Sequence, residues 1–167
     1  MLKLSPRLQY VYDLLLPGKP VWDFCCDHGH LGLNAFESGD FPEVYFVDQV
    51  ESIIQRLRGR FEAYLPKSKS TAQAHFLAAS GQDIETSVCG TVVIAGVGAY
   101  TILGILQGVK EKGHLQAERL ILGPQRDEEK LRQFAKEILG TEYEISSEYY
   151  EVTEGRRTLQ LLVFNRI

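Results

Sequence analysis

The chain has 167 residues, of which 44% are hydrophobic and 24% charged, and its formal net charge is −4. This length suffices for a single domain over residues 1–167, and the acidic balance argues against a large nucleic-acid footprint. No apolar run reaches the roughly 18–20 residues of a membrane span, and the first residues lack the apolar core of a signal peptide. With three cysteines, two of them adjacent, no disulfide framework is expected, so we predict a cytoplasmic protein without a membrane partner.

The first half of the chain alternates predicted helices and strands. Apolar residues at helical spacing predict an N-terminal helix at about 5–16, which Pro17 and Gly18 end. Short apolar runs predict strands at 21–25, 44–48 and, more weakly, 74–79. Helices are predicted between them, at 31–38 and from 50 to 65, where Pro66 ends the second.

The second half continues this alternation and then changes. Residues 91–95 form a continuous apolar run, which is typical of a strand buried on both faces of a parallel sheet. A helix at 102–109, a strand at 119–122 and a helix from Asp127 to Leu139 follow. Two strand-like runs at 143–152 and 158–165 have no helix between them, which predicts a hairpin. The sequence therefore predicts an α/β fold, a doubly wound sheet of seven strands with an antiparallel C-terminal hairpin.

Two acidic residues end neighbouring predicted strands. Asp23 closes the first strand, and Asp48 closes the second, 25 residues later. In a doubly wound sheet, an acid after the second strand can bind both hydroxyls of a ribose, while the first turn offers backbone N–H groups. A single acid at a strand end is often only a turn residue or a cap, but the pair favours a nucleoside-type ligand. The turn lacks the G-x-G-x-x-G pattern, so NAD is not favoured.

Three segments carry a more specific pattern. The turn reads Asp23-Phe24-Cys25-Cys26-Asp27-His28-Gly29-His30-Leu31, residues 93–99 read V-I-A-G-V-G-A, and residues 120–125 read L-I-L-G-P-Q. They resemble D-I-G-S-D-H-A-Y-L, V-I-A-G-M-G-G and L-I-L-Q-P-N of the bacterial tRNA (adenine-N1)-methyltransferases that modify adenosine 22. The opening residues 4–8 are also similar to the start of that family.

The resemblance implies a Rossmann-like class I methyltransferase sheet, S-adenosylmethionine as cofactor, and methyl transfer to N1 of adenine in tRNA. Transfer RNA or another RNA is then the partner, and the protein is a monomer or a homodimer. Carried over residue by residue, the resemblance implies that the turn binds the methionine part of the cofactor. It implies that Asp48 and Gln49 bind the ribose, and that Ser80 and Gly81 contact the adenine. Residues 95–98 would form the floor beneath the transferred methyl group. The implied residues of the turn and the floor are Asp23, Cys25, Cys26, Asp27, His28, Gly29, Ala95, Gly96 and Gly98.

Catalysis and substrate binding are assigned to fewer residues. We predict that the Asp27 carboxylate stabilises the positive charge that develops on N1 or orients the exocyclic amine; an N-cap of the following helix is the alternative. Tyr100 is a candidate to stack on a substrate base, with a partly buried core position as its alternative. The remaining substrate candidates are Pro124, Gln125, Arg56, Arg58 and Arg60, and the three arginines equally fit a solvated helix face.

The chain departs from the family pattern at several positions. Cys25 stands where the family usually has glycine, Ser80 where it has Asp or Asn, and Gly123-Pro124-Gln125 where it has Gln-Pro-Asn. We also expect no C-terminal helical arm of the kind that the family carries. These departures leave two alternatives: a methyltransferase for a small molecule or a protein, and a binding protein that keeps the fold without catalysis.

The cysteines and histidines of the turn also offer ligands and nucleophiles for other chemistry. Cys25, Cys26, His28 and His30 lie within six residues, and alternate side chains diverge in a turn, so they do not converge readily on one ion. We therefore predict no metal. A nucleophilic cysteine is disfavoured because His75 and His114 are far along the chain and nothing in the sequence places them beside it.

Overall fold

The computed structural model describes residues 2–146 and 150–167. The helices in these residues are α1 (Pro6–Asp13), α2 (His30–Ser38), α3 (Glu51–Tyr64), α4 (Ala99–Glu111) and α5 (Glu128–Leu139). The strands are β1 (Val21–Phe24), β2 (Glu43–Asp48), β3 (Gln73–Ala78), β4 (Thr91–Val97), β5 (Arg119–Pro124), β6 (Tyr143–Ile145), β7 (Tyr150–Glu154) and β8 (Arg157–Arg166). No helix of these residues is long and apolar enough to cross a membrane.

The strands form one mixed sheet in the order β3-β2-β1-β4-β5-β8-β6, with β7 paired to β8 beside this path. The pairs among β1 to β5 are parallel, and β8 runs antiparallel to β5. Strand order reverses between β1 and β4, so the carboxyl ends of these strands border the crevice in which such sheets bind ligands. The predicted doubly wound, Rossmann-like α/β fold is confirmed.

The C-terminal hairpin differs in detail from the prediction. The run at 143–152 is not one strand: β6 pairs with the end of β8 through Tyr143 and Arg166, and β7 pairs with its start through Glu154 and Arg157. The described chain therefore has eight strands rather than the predicted seven. Residues 147–149 of the predicted run lie outside the described residues.

The sheet separates two apolar clusters. Trp22 and Phe24 of β1 face one way, toward α4 and α5, whereas Val21 faces α1, α2 and α3 on the other side. Because side chains alternate along a strand, Asp23 points to the same side as Val21. This alternation decides which helices surround the Asp23 carboxyl.

The ends of two helices differ from the sequence expectation. The N-terminal helix covers Pro6–Asp13, so it is shorter than the predicted 5–16, and Ser5 caps it by accepting a hydrogen bond from the Leu8 N–H (3.3 Å). Helix α5 does begin after Asp127, but that residue is left-handed (φ 61°) and its side chain makes no capping hydrogen bond. The residue type of Asp127 therefore predicted where α5 begins, but not that its side chain makes no capping hydrogen bond.

Candidate functional site

Two cavities open at the carboxyl ends of β1, β2 and β4. One has a volume of about 240 Å³ and includes Asp48; the other has about 220 Å³ and includes Asp23. We call them the Asp48 cavity and the Asp23 cavity. Cys25 lines both of them, so they meet at this residue.

The Asp48 cavity is walled by β1, β2, α4 and the turn after β3. The Asp48 carboxylate accepts hydrogen bonds from two backbone N–H groups, of Val50 (3.0 Å) and of Asp27 (3.4 Å). These bonds fix its position at the end of β2. Five predicted cofactor residues line this cavity: Cys25, Asp48, Gln49, Ser80 and Gly81.

Sequence reasoning missed part of this wall. Gln82, Thr101 and Ile105 also line the Asp48 cavity. Thr101 and Ile105 are four residues apart and therefore share one face of α4, and this spacing in the predicted helix is the signal that could have indicated them. A Cβ on Gly81 would lie 2.8 Å from Ile105 Cγ1, so glycine lets this turn pack against α4.

The Asp23 cavity lies on the other side of Cys25. The predicted residues Asp23, Cys25, Cys26, Asp27, His28, Gly29, Ala95 and Gly96 all line it. Asp23 is buried, and burial raises the pKa of its carboxyl from 3.8 to about 7, although the Gly32 N–H donates a hydrogen bond to it. An uncompensated carboxyl in such a cavity favours a bound cation or a proton.

The turn between β1 and α2 is conformationally unusual. Cys25 (φ 58°), Asp27 (φ 48°) and Gly29 (φ 70°) are all left-handed. The Cys26 N–H donates to Val47 O (3.2 Å), and the Gly29 N–H donates to Cys26 O (2.7 Å), which holds the turn against β2. Burial raises the pKa of the Cys25 thiol to about 11, so this sulfur is neutral and a weak nucleophile.

Asp27 does not cap α2. The N-cap of that helix is Gly29, and no side chain caps it, so the capping interpretation is wrong. The Asp27 side chain is 68% exposed, and its Oδ2 lies 3.8 Å from His28 Nε2. Its carboxylate is therefore accessible at the rim of the Asp23 cavity.

The floor of the site is an irregular end of β4. The register of β4 on β5 shifts between Ala95 and Val97, and Gly96 adopts a φ of 77° at this bulge. Gly98 is the N-cap of α4 and lines neither cavity. Tyr100 follows in the first turn of α4 and is 66% exposed, which contradicts the core interpretation of this residue.

Among the other substrate candidates, two adjoin the floor and three do not line it. Pro124 ends β5, and the Gln125 N–H donates to Val97 O (2.9 Å). Arg58 stacks on the Phe76 ring (5.5 Å), and Arg60 lines a separate apolar cavity of about 430 Å³ beside α2. Arg56 is exposed on α3, so these three arginines do not converge on the two cavities.

The described part of the chain contains no cluster of side chains suited to bind a metal ion. No group of three or more His, Cys, Asp or Glu side chains is placed there to hold an ion.

A comparison with known protein families gives a match over nearly the whole length of the chain. Residues 4–162 match the family described as a methyltransferase domain. The chain belongs to this methyltransferase family. It is an enzyme of the class that the turn, the acids and the β4 floor had predicted.

Solved structures extend this result. The chain of this methyltransferase is 25% identical to Streptococcus pneumoniae Sp1610, described as a candidate tRNA (m1A22) methyltransferase in complex with S-adenosyl-L-methionine; the match covers 98% of this chain and 73% of that one (TM-score 0.76). TrmK of M. capricolum in complex with S-adenosyl-homocysteine is 21% identical, over 98% and 69% (TM-score 0.78). The B. subtilis m1A22 tRNA methyltransferase TrmK is 23% identical, over 99% and 68% (TM-score 0.76). No curated protein matches this methyltransferase by sequence.

Proposed function

We propose that this methyltransferase transfers a methyl group from S-adenosylmethionine to N1 of adenine in tRNA. The observation that carries the proposal is the pair of cavities that meet at Cys25, with Asp48 in one and Asp23 in the other. Two such separated carboxylates fit a ligand with a ribose diol in its middle, which Asp48 can bind, and an ammonium group at one end, which Asp23 can face. The 25% identical Streptococcus pneumoniae structure, crystallised with S-adenosyl-L-methionine, supports the same cofactor.

The Asp48 cavity fits the adenosine part of this cofactor. Each Asp48 oxygen accepts one backbone hydrogen bond, so lone pairs remain for the ribose hydroxyls. We assign Gln49 to the same ribose, and Ser80 and Gly81 to the adenine edge. Phe24 and Ile105 supply apolar wall against the base.

The Asp23 cavity fits the methionine part. It combines the buried Asp23 carboxyl with a buried Arg7 Nε that has no hydrogen-bond partner among the described residues. Buried polar groups without partners are uncommon, so a polar ligand is expected there. We assign the turn residues Cys25, Cys26, His28 and Gly29 to this part, and Ala95, Gly96 and Gly98 to the floor beneath the methyl group.

The chemistry asks the protein mainly for positioning. The cofactor supplies an activated sulfonium methyl group, so the protein must align the acceptor and exclude water. At the bulge, Gly96 carries no Cβ, and the Arg7 guanidinium lies on that side of the backbone, with Nη1 3.2 Å from the Cβ position. Tyr100 is exposed one turn away for stacking on the base, and we assign Pro124 and Gln125 to the acceptor side.

Asp27 is our candidate for the charge that develops on adenine. N1 becomes cationic after attack, and the Asp27 carboxylate is exposed at the cavity rim, with His28 as its one ion-pair partner among the described residues. Asp27→Asn keeps the left-handed conformation, which Asn tolerates as well as Asp. We expect S-adenosylhomocysteine affinity within about twofold of wild type and methyl transfer reduced about 100-fold. Calorimetry and single-turnover transfer measure the two; unchanged transfer would remove this role from Asp27.

Methyl incorporation into tRNA tests the proposed function directly. The acceptor is bulk tRNA from a cell that lacks this protein, with labelled S-adenosylmethionine, followed by nucleoside mass spectrometry. The expected product is 1-methyladenosine. If a small-molecule or protein fraction accepts the methyl and tRNA does not, the acceptor is wrong; if no cofactor binds, the chain is a binding protein that has lost catalysis.

We place this reaction in the cytoplasm. Transfer RNA is an acceptor of that compartment, and Cys25, Cys26 and Cys89 are all free thiols, as a reducing environment keeps them.

A further inference from the structure

The turn between β7 and β8 lies beside the acceptor side of the site. Because β8 runs antiparallel to β5, its first residue lies near the carboxyl end of β5, and Arg157 Nη2 donates a hydrogen bond to Gln125 O (3.1 Å). The Gln125 N–H donates in turn to Val97 O (2.9 Å) at the end of β4. Two hydrogen bonds therefore connect this turn to the floor of the site.

The backbone of this turn is short and regular. Glu154 and Arg157 pair across the hairpin, which leaves Gly155 and Arg156 as a two-residue turn, and Gly155 adopts a φ of 62°. Such turns favour glycine at a position of positive φ, because their twist then matches that of the two strands. Arg156 is exposed at the tip. The turn therefore presents Arg156 to solvent at a fixed place beside the loop after β5.

Three arginines from two segments lie at this edge of the site. Arg156 and Arg157 belong to the turn, and Arg126 directly follows Gln125; we call these three arginines the arginine rim. All three are exposed, and none forms an ion pair among the described residues. A guanidinium has five N–H donors, so the bond of Arg157 to Gln125 leaves others free. The rim is therefore a local positive patch in a chain whose net charge is −4.

The acidic side chains near the rim offset its charge only in part. They are Asp127, Glu128, Glu129 and Glu154. Asp127 Oδ1 lies 4.0 Å from Lys130 Nζ, and Glu129 Oε1 lies 3.9 Å from Arg132 Nε, so each has a cation of its own. Glu128 is half-buried, and Glu154 Oε1 is buried. The exposed surface of the rim therefore suits an anionic partner.

The position of the rim indicates which anion it takes. It adjoins Pro124, on the side that we assign to the acceptor, and a base in RNA is flanked on both sides by backbone phosphates. A planar guanidinium pairs with a phosphate through two parallel hydrogen bonds. We propose that the arginine rim binds backbone phosphates of the acceptor RNA next to the target adenosine. This inference rests on the proposed function, which it deepens by naming the surface through which an acidic chain holds RNA.

The salt dependence of tRNA binding tests the rim. The variant carries Arg126→Gln and Arg156→Gln, and it keeps Arg157 because the bond to Gln125 holds the turn in place. Fluorescence anisotropy measures the Kd for tRNA from a cell that lacks this protein, between about 50 and 200 mM salt. We expect binding about 10-fold weaker than wild type, and a slope of log Kd against log salt that is smaller by about 1.4–1.8, since each phosphate contact contributes about 0.7–0.9. The KM for tRNA should rise in step, with S-adenosylhomocysteine affinity within about twofold of wild type.

Arg56→Gln with Arg60→Gln is the matched control. It removes as much charge from exposed positions on α3 that line neither the Asp48 cavity nor the Asp23 cavity, and it should keep the slope of wild type. An unchanged slope in the rim variant would overturn the proposal, and so would an equal decrease in both variants, because net charge alone would then decide. Weaker S-adenosylhomocysteine binding by the rim variant would also overturn it, since the arginines would then support the fold. Wild type that methylates a small molecule or a protein and does not bind tRNA contradicts the proposed function itself.

Discussion

Cys25 lies at the boundary between the Asp48 cavity and the Asp23 cavity. It lines both cavities and adopts a φ of 58°, a conformation that costs an L-residue about 1–2 kcal/mol. The family that the sequence resembles usually has glycine here, which carries no such cost. The side chain therefore narrows the passage through which one cofactor would run.

We expect Cys25→Gly to improve both stability and cofactor binding. Relief of backbone strain, less the entropy that glycine adds to the unfolded chain, leaves a gain of about 0.5–1 kcal/mol in the free energy of unfolding. S-adenosylhomocysteine affinity should rise severalfold. Denaturant unfolding and calorimetry check these values. Cys25→Ala keeps the strain and should gain no stability; weaker binding by Cys25→Gly would mean that the thiol contacts the ligand.

The contact of α2 with β2 depends on one glycine. A Cβ on Gly32 would lie 2.3 Å from Cε1 of Phe46, so the helix lies directly on the ring. Gly59 in α3 has nothing within 4 Å of its Cβ position. Both are single glycines inside predicted helices, and only the packing distance distinguishes them.

Substitution of these two glycines should have opposite effects. Gly32→Ala forces Phe46 to move and is expected to lower the free energy of unfolding by about 1–3 kcal/mol. Gly59→Ala gains helix propensity in open space and should raise it by about 0.5–1 kcal/mol. Urea unfolding of the two variants checks this. A stabilised Gly32→Ala would contradict the close packing of α2 on β2.

The strands, like these glycines, were predictable from the sequence only as far as local patterns decide them. Continuous apolar runs and the Gly and Pro residues around them predicted β1, β2, β4 and β5 well, because a buried parallel strand needs such a run on both faces. The run at 143–152 was predicted as one strand of a hairpin because no helix separates it from the run at 158–165. Its division into β6 and β7 depends on where each pairs along the ten residues of β8, which is a long-range contact.

At the scale of the whole molecule, the buried Asp23 links folding to pH. Its carboxyl has a pKa of about 7 in the folded chain, against an ordinary value of 3.8, which we take for the unfolded chain. Between pH 3.8 and pH 7 the folded state therefore binds more protons than the unfolded state. Its contribution to stability is therefore full below about pH 4 and is lost as the pH rises to 7. A cationic group of a ligand in the cavity would favour the ionised form and lower this pKa.

Comparison of wild type with Asp23→Asn isolates this effect. Between pH 4 and 8, wild type should lose up to about 4 kcal/mol of unfolding free energy relative to the variant, which has no ionisable group at this position. Other carboxyls with shifted pKa values, Glu85 and Glu118, titrate in both proteins and cancel in the difference. Parallel stability curves would show that Asp23 is not protonated in the fold. The variant should also lose S-adenosylhomocysteine binding.

The sequence by itself determined the fold class, the strand-end acids and the turn from Asp23 to Leu31, because these depend on local periodicity and on residue types at fixed spacing. The family resemblance also implied Ala95 and Gly96 as site residues, and both line the Asp23 cavity. Only the tertiary structure decided that α1 brings Arg7 across Gly96, that Asp27 is free of α2, and that Arg56, Arg58 and Arg60 line neither cavity. The physical reason is that these outcomes depend on which faces of distant elements meet, and side-chain packing, not spacing along the chain, fixes those meetings.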